Sequence, residues 1–76
     1  MYIMGKEYLE NFLEEFYADV LYDFEEGIIN ALQFDNVAKE IYDVEMLLYS
    51  EEEDIDELID YAYGLKNMYM MLVVSI

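Results

Sequence analysis

KEYLENFLEEFYADVLY, residues 6–22, is the stretch that decides the fold class. Its apolar residues recur at steps of three and four, so at 100° per residue they form one continuous stripe along a helix. The stripe consists of Leu9, Phe12, Leu13, Phe16, Tyr17, Val20 and Leu21. Its acidic flanks are Glu7, Glu10 and Glu14 on one side and Glu15 and Asp19 on the other. The pattern predicts an amphipathic helix that ends near residues 25–27, Glu-Glu-Gly.

A second long helix is predicted over residues 36–49. Residues 28–34 before it are ambiguous, because the pair Ile28 and Ile29 suits either a short helix or a buried strand, and we favour the short helix. Asp35 or Asn36 is predicted to cap the long helix. Its apolar residues again keep helical spacing, and they are Val37, Ile41, Val44, Leu47 and Leu48.

A third helix is predicted to follow Ser50. Ser50 and Glu53 have the form of a capping box, and the acidic residues after Ser50 favour the positive end of a helix. The predicted buried stripe is Ile55, Leu58, Ile59 and Ala62. Gly64 is the expected C-terminal stop.

The final segment, Met68 to Ile76, is apolar on every side, so we expect it to be buried on every side. Its β-branched residues favour a short strand, whereas its methionines favour a helix. A strand here would have to pair with Tyr2 to Met4 or with a second chain. The predicted fold is therefore mainly α: a single domain over residues 1–76, with three to four helices and an apolar C-terminal segment open between strand and helix.

Composition supports a folded chain. Nineteen acidic residues against three lysines give a net charge of −16, but 58% of the residues are hydrophobic and there is no proline. That apolar content excludes the usual disordered acidic tail. The longest apolar run, seven residues from Met68 to Val74, is too short to cross a bilayer, and no signal peptide is visible. A cytoplasmic protein is therefore expected.

Catalytic and metal-binding chemistry finds little support. The chain has no cysteine and no histidine, and its two serines are Ser50 and Ser75. We therefore expect no enzyme activity, no cofactor and no zinc site. The run of acidic residues after Ser50 raises calcium binding as an alternative, but a loop begun at Glu52 or Asp54 lacks the glycine that an EF-hand needs at its sixth position.

The acidic residues are the candidate binding site. A compact globule of this length is about 30 Å across, and a duplex of about that length carries roughly 17–18 charges. We therefore expect a basic DNA- or RNA-binding host protein as the partner, no direct contact with nucleic acid or membrane, and self-association as an open possibility. The candidate partner-binding residues are Glu7, Glu10, Glu14, Glu51, Glu52, Glu53, Asp54, Asp56, Glu57 and Asp60.

In charge and size, the chain resembles the small acidic proteins with which bacteriophages block host DNA-binding machinery. The host proteins blocked in this way include restriction enzymes, CRISPR effectors, nucleoid proteins and RNA polymerase. The acidic helix faces from Glu7 to Asp23 and the cluster from Glu51 to Asp60 carry the resemblance. It implies stoichiometric inhibition in a bacterial host, without catalysis. The alternative is an acidic adaptor or antitoxin-like protein that neutralises a basic partner through a helix-in-groove contact.

Crowded carboxylates predict that salt stabilises the fold. Repulsion between them opposes the compact state, and added sodium chloride screens it. The melting temperature at pH 7 should therefore rise with salt, by about 4–8 °C for each 1 kcal/mol of relieved repulsion. Thermal melts followed by circular dichroism test this. A melting temperature that falls with salt would show that favourable ion pairs dominate instead.

Overall fold

The computed structural model describes residues 2–50 and 54–75, and within them it contains three helices and no strand. The helices are α1 (Tyr2–Glu25), α2 (Ala31–Ser50) and α3 (Ile55–Ser75). Every pair of helices is in contact, and consecutive helices run antiparallel, so α1 and α3 point the same way. The predicted class, a small helical domain, is confirmed.

The core lies along one stripe of α1, as predicted. Leu9, Leu13, Phe16 and Val20 are each no more than 1% exposed. The other two helices cover this stripe with Ile41, Val44 and Leu48 of α2 and with Leu58, Ala62 and Tyr69 of α3. Phe12 and Leu21 are half-buried, and Tyr17 lies at the edge of the stripe.

The turn between α1 and α2 differs from the prediction. Residues 28–34 are not a separate short helix, because α2 begins at Ala31 and includes Phe34. Asn30 is the cap: its Oδ1 accepts a hydrogen bond from the Gln33 amide at 2.7 Å, and Gln33 Oε1 accepts one from the Asn30 amide at 2.9 Å. This reciprocal pair is a capping box. Asp35 and Asn36, the predicted caps, therefore lie inside α2.

The start of α3 also differs from the prediction. Ser50 is the last residue of α2, and its hydroxyl donates to the Leu47 carbonyl at 2.8 Å. Asp54 caps α3, since its Oδ1 accepts a hydrogen bond from the Asp56 amide at 3.0 Å and its carbonyl accepts one from the Leu58 amide at 3.0 Å. Glu53, the predicted partner of Ser50, lies outside the described residues.

The expected helix stop at Gly64 is wrong, because α3 continues through it to Ser75. The buried stripe of Leu58 and Ala62 is extended at helical spacing by Leu65, Tyr69 and Leu72, so tertiary packing overrides the low helix propensity of glycine. The C-terminal segment is helical rather than a strand, and residues 2–4 belong to α1. The segment is not buried on every side either, since Met71 and Val74 are 72% and 84% exposed.

The bundle is an elongated rod. Its dimensions are 39 × 18 × 16 Å, so it is longer than the globule of about 30 Å expected from chain length. Three helices of 20 to 24 residues side by side account for the difference. None of the described helices combines the length and the apolar character needed to span a membrane.

Two glycines should respond to alanine in opposite directions. Gly64 lies inside α3, and a Cβ there would meet nothing within 4 Å, so Gly64→Ala should stabilise the fold by about 0.5–1 kcal/mol. Gly27 has a φ of +81°, a left-handed conformation, so Gly27→Ala should destabilise it by about 1–2 kcal/mol. Urea unfolding of both variants measures whether each substitution raises or lowers the unfolding free energy. A destabilised Gly64→Ala variant would contradict the continuous α3.

Candidate functional site

The carboxylates lie at the surface of the bundle. No charged side chain among the residues whose burial is described is buried. Each of the three helices carries acidic residues, but all nineteen precede residue 61 of the chain. The negative surface therefore covers α1, α2 and the first turns of α3, and leaves out the C-terminal half of α3.

A concave acidic surface lies between α1 and α2. Here Glu14 and Tyr17 of α1 face Tyr42 and Glu45 of α2 across a groove of about 570 Å³, whose floor includes Ala38 and Ile41. Because α1 and α2 are antiparallel, Glu10, one turn before Glu14, faces Tyr49, one turn after Glu45. We define the acidic groove as Glu10, Glu14, Tyr17, Tyr42, Glu45 and Tyr49.

Tyr49 shows that the carboxylates of the acidic groove converge. Its pKa is raised, mainly because the Glu10 carboxylate accepts a hydrogen bond from its hydroxyl and is negatively charged. Slight burial and the charges of Glu45 and Glu14 add to the same effect. Lys6 Nζ lies 5.7 Å from the centre of the Tyr49 ring, a cation–π contact. Glu10 and Glu14 of α1 and Glu45 of α2 therefore all raise the pKa of the same hydroxyl.

The acidic residues at the start of α3 form a separate group. Asp54 is the cap, and Asp56 and Glu57 in the first turn favour the positive end of the helix. Asp60 lies near Tyr63, whose hydroxyl is hydrogen-bonded to that of Tyr8 on α1. That hydrogen bond raises the pKa of Tyr63 most, followed by burial and the charges of Tyr8 and Asp60.

The structure divides the predicted binding residues between two faces. Glu10 and Glu14 belong to the acidic groove, and Glu7 is exposed on α1 one turn before them. The second face, at the start of α3, holds Asp54, Asp56, Glu57 and Asp60. The other three predicted residues, Glu51, Glu52 and Glu53, lie outside the described residues.

Sequence reasoning missed Glu45 and the tyrosines of the groove. Glu45 and Tyr49 each follow a core residue of α2, Val44 and Leu48, so the sequence places them together on one flank of that helix. Which residues of α1 they face depends on the register between the two helices. The sequence carries no signal for that register.

Tyrosine hydroxyls of α3 donate hydrogen bonds to carboxylates of both other helices. Tyr61 of α3 donates to Glu40 Oε1 of α2 at 3.1 Å, and Tyr69 of α3 donates to Asp23 Oδ2 of α1 at 2.5 Å. Between α2 and α1, the Tyr49 hydroxyl lies near enough to the Glu10 carboxylate for Glu10 to be the main cause that raises the pKa of Tyr49. A hydroxyl is a neutral donor, so each carboxylate keeps its negative charge while its hydrogen-bonding capacity is used.

Tyr69 and Asp23 form the most buried of these bonds. Tyr69 is 6% exposed, and its ring packs edge-on against Phe16 with the ring centres 5.8 Å apart. Burial is the main cause that raises its pKa, and the hydrogen bond to Asp23 and the charges of Asp23 and Asp19 act in the same direction. The neutral hydroxyl is therefore strongly favoured in the folded state.

The polar groups of both faces are carboxylates and tyrosine hydroxyls. Among residues 2–50 and 54–75, no group of three or more acidic side chains is placed to hold a metal ion. No protein-family model, curated protein or solved structure matches the chain. Function is therefore inferred from charge and geometry.

The raised pKa values predict that alkali destabilises the fold. Unfolded tyrosines ionise near pH 10, whereas folded Tyr69 keeps its proton above that pH. The stability that this shift contributes is complete below pH 10 and is lost as pH rises towards the folded pKa, by about 1.4 kcal/mol per pH unit for one proton. Tyr69→Phe removes the titrating group, so its unfolding free energy should fall less steeply above pH 10.

The matched control is Tyr42→Phe, which removes the hydroxyl of a tyrosine that is 58% exposed, whereas Tyr69 is 6% exposed. Urea titrations between pH 8 and 11.5 measure how steeply the unfolding free energy falls with pH in the wild type, in Tyr69→Phe and in Tyr42→Phe. Equal slopes for wild type and Tyr69→Phe would contradict the role given to the Tyr69–Asp23 bond.

Proposed function

We propose that the chain is a DNA-mimic inhibitor. It binds the basic nucleic-acid-binding surface of a bacterial host protein and blocks DNA binding stoichiometrically, without catalysis. A CRISPR effector, a restriction enzyme, a nucleoid protein and RNA polymerase are the classes of host protein that carry such a surface. The proposed place of action is the bacterial cytoplasm.

The observation that carries the proposal is how little of the negative charge is neutralised internally. Helix pairs are joined by tyrosine–carboxylate bonds, which leave the charge on Glu10, Asp23 and Glu40. Only three lysines face nineteen acidic residues, and one of them, Lys66, lies over the Phe12 ring with its Nζ 5.3 Å from the ring centre. A fold that keeps its carboxylates charged is suited to a partner that supplies the cations.

The charge density of the rod approaches that of duplex DNA. A duplex 39 Å long carries about 23 charges at one per about 1.7 Å. The chain carries −16 over the same length, or about seven tenths of that density. From a compact globule we expected the protein to carry about as much charge as a duplex of its own length, and the longer rod shows that this expectation is an overestimate. The remaining density is still high enough for the multiple close contacts that a lysine- and arginine-lined surface makes with phosphates.

The acidic groove is the proposed docking surface. Glu10 and Glu14 are four residues apart on α1, which separates them by about 6 Å along the helix axis. Glu45 adds a third anion from α2, so basic side chains can be bound from two sides. The exposed rings of Tyr17 and Tyr42 provide apolar surface for the stems of lysine or arginine. Like charges exclude nucleic acid and anionic lipid from the same surface.

The alternative proposal is an acidic adaptor or antitoxin-like protein that receives a basic helix in the same groove. The tyrosines and the Ala38–Ile41 floor favour it, since an apolar floor suits the apolar face of an amphipathic helix. Salt separates the two proposals. Binding led by charge weakens steeply between low and high salt, whereas binding led by apolar contact changes little.

Charge removal at two faces tests the proposal. The groove variant Glu10→Gln/Glu14→Gln/Glu45→Gln and the matched variant Asp56→Asn/Glu57→Gln/Asp60→Asn each remove three charges, so their net charge is equal. Glutamine at position 10 still offers Tyr49 an acceptor. The groove variant should inhibit DNA binding more than tenfold less well at low salt, because several close charge contacts are lost together. The matched variant should lose less.

The measurement is displacement of a fluorescent duplex from purified members of the four host classes, followed by anisotropy at several salt concentrations. Inhibition that reaches completion at a fixed molar ratio and weakens steeply with salt would support the mimic. A chain that displaces no duplex, or two variants that inhibit as well as the wild type, would contradict it. Inhibition that is insensitive to salt would favour the adaptor alternative.

A further inference from the structure

The outer surface of α3 changes character along its length. Its first turns carry Asp56, Glu57 and Asp60, whereas residues 61–76 contain no acidic residue and a single lysine, Lys66. Residues 61–75 are thus the longest described stretch of the chain without an acidic residue.

Four large apolar side chains are exposed at that end. Met68, Met70, Met71 and Val74 are 69%, 52%, 72% and 84% exposed, while Tyr69 between them points into the core. Met70, Met71 and Val74 line a shallow depression with Asn67 and Ser75, and Met68 lines the neighbouring groove between α3 and α2. We define the apolar face as Met68, Met70, Met71 and Val74. Single exposed apolar residues are ordinary, but a contiguous group of this kind marks a contact surface.

We propose that the apolar face is the self-association surface of the protein and that its occupant is the same face of a second copy. Two identical faces related by a two-fold axis form an isologous contact, in which each copy covers the apolar face of the other. Methionine side chains adapt to one another readily because they are unbranched and flexible. This inference does not depend on the proposed inhibitor function.

Charge identifies the occupant. Each copy carries −16, so contacts through the acidic groove or the start of α3 would place carboxylates against carboxylates. The apolar face itself contains no carboxylate, and the nearest ones, Asp19 and Asp23 of α1 and Glu40 of α2, line the grooves at its two edges. A basic partner, by contrast, is attracted to carboxylates and gains no electrostatic attraction from an uncharged face next to Lys66. The face therefore fits a second copy better than a basic protein.

Helix geometry keeps the acidic residues of α3 out of this contact. In an antiparallel pair of α3 helices centred near Met71, the described parts of the two helices overlap over about four residues to each side. Asp60 is eleven residues from Met71, or about 16 Å along the axis from the centre of this contact. On the α1 side the face borders Asp19 and Asp23, where Tyr69 bonds Asp23 and Lys66 lines the same groove.

Salt should act on this contact with the opposite sign from its action on the host complex. Screening reduces the repulsion between two chains of −16 and leaves apolar burial in place. Self-association should therefore strengthen with salt, whereas binding to a basic host should weaken. This difference separates failure of one proposal from failure of the other.

Analytical ultracentrifugation tests the proposal on the full chain. The wild type should sediment as a monomer–dimer mixture, with a dimer dissociation constant at least severalfold lower in 500 mM than in 50 mM sodium chloride. Met71→Glu/Val74→Glu should raise that constant more than tenfold, because it places four carboxylates in the contact. Both positions are exposed, so the helical circular dichroism should be unchanged. Leu32→Glu, at a position 68% exposed on α2, is the matched control and should dimerise like the wild type.

Cross-linking gives a second measurement that does not depend on a destabilised contact. The natural chain has no cysteine, so Met71→Cys introduces a unique thiol near the two-fold axis and Leu32→Cys a unique thiol far from it. A short bis-maleimide should join Met71→Cys chains into dimers and leave Leu32→Cys chains mostly single. A wild type that stays monomeric at 500 mM salt, equal cross-linking of the two variants, or a dimer unaffected by Met71→Glu/Val74→Glu would each overturn the proposal.

Discussion

Burial of one stripe of α1 against both other helices is the interaction on which the rest of the structure depends. Nineteen acidic residues repel one another across a rod only 18 × 16 Å in section, and three lysines cannot offset them. Fully burying one large apolar side chain contributes about 1.5–3 kcal/mol. Leu9, Leu13, Phe16 and Val20 are four such side chains on one helix, and no charged side chain among the residues whose burial is described is buried with them. Repulsion between surface charges is screened within about 8 Å at physiological salt, but apolar burial is not, so the core prevails.

The tyrosines solve a second problem, which is how acidic helices can be joined without cations. Each ring covers the edge of the small core, while its hydroxyl reaches a carboxylate on a neighbouring helix, as Tyr61 does with Glu40 and Tyr69 with Asp23. A lysine in the same place would also join the helices, but it would cancel the charge. The edge-on contact of Tyr63 with Phe12, with ring centres 5.0 Å apart, shows that the same residue type packs α3 against α1. Stability and a highly negative surface are thereby made compatible.

Periodicity predicted the fold wherever it was long and unbroken. The α1 stripe from Leu9 to Leu21 was predictable because seven apolar residues recur along it at steps of three and four. The prediction failed where a local signal competed with tertiary packing: Gly64 has the propensity of a helix stop, yet Leu65, Tyr69 and Leu72 continue the buried stripe beyond it. The start of α2 was mispredicted although Asn30 and Gln33 form a capping box. Ile28 and Ile29 before them suit a strand as well as a helix, so the local sequence did not decide where α2 begins. The site was less predictable than the fold. Carboxylates occur on every helix, and only the register of α1 against α2 decides that Glu10 and Glu14 meet Glu45.

The two proposed surfaces lie on opposite sides of the bundle, which bears on how they would act together. Since all three helices pack on one another, the acidic groove between α1 and α2 opens away from α3, and the apolar face lies on the outer side of α3. A dimer formed through that face would leave both grooves accessible and carry twice the charge of one chain. Many DNA-binding proteins are themselves two-fold symmetric dimers with two basic half-sites. A symmetric acidic dimer could occupy both half-sites at once, and linkage of the two contacts would raise the overall affinity without any new interaction, provided that the separation of the grooves matches that of the half-sites.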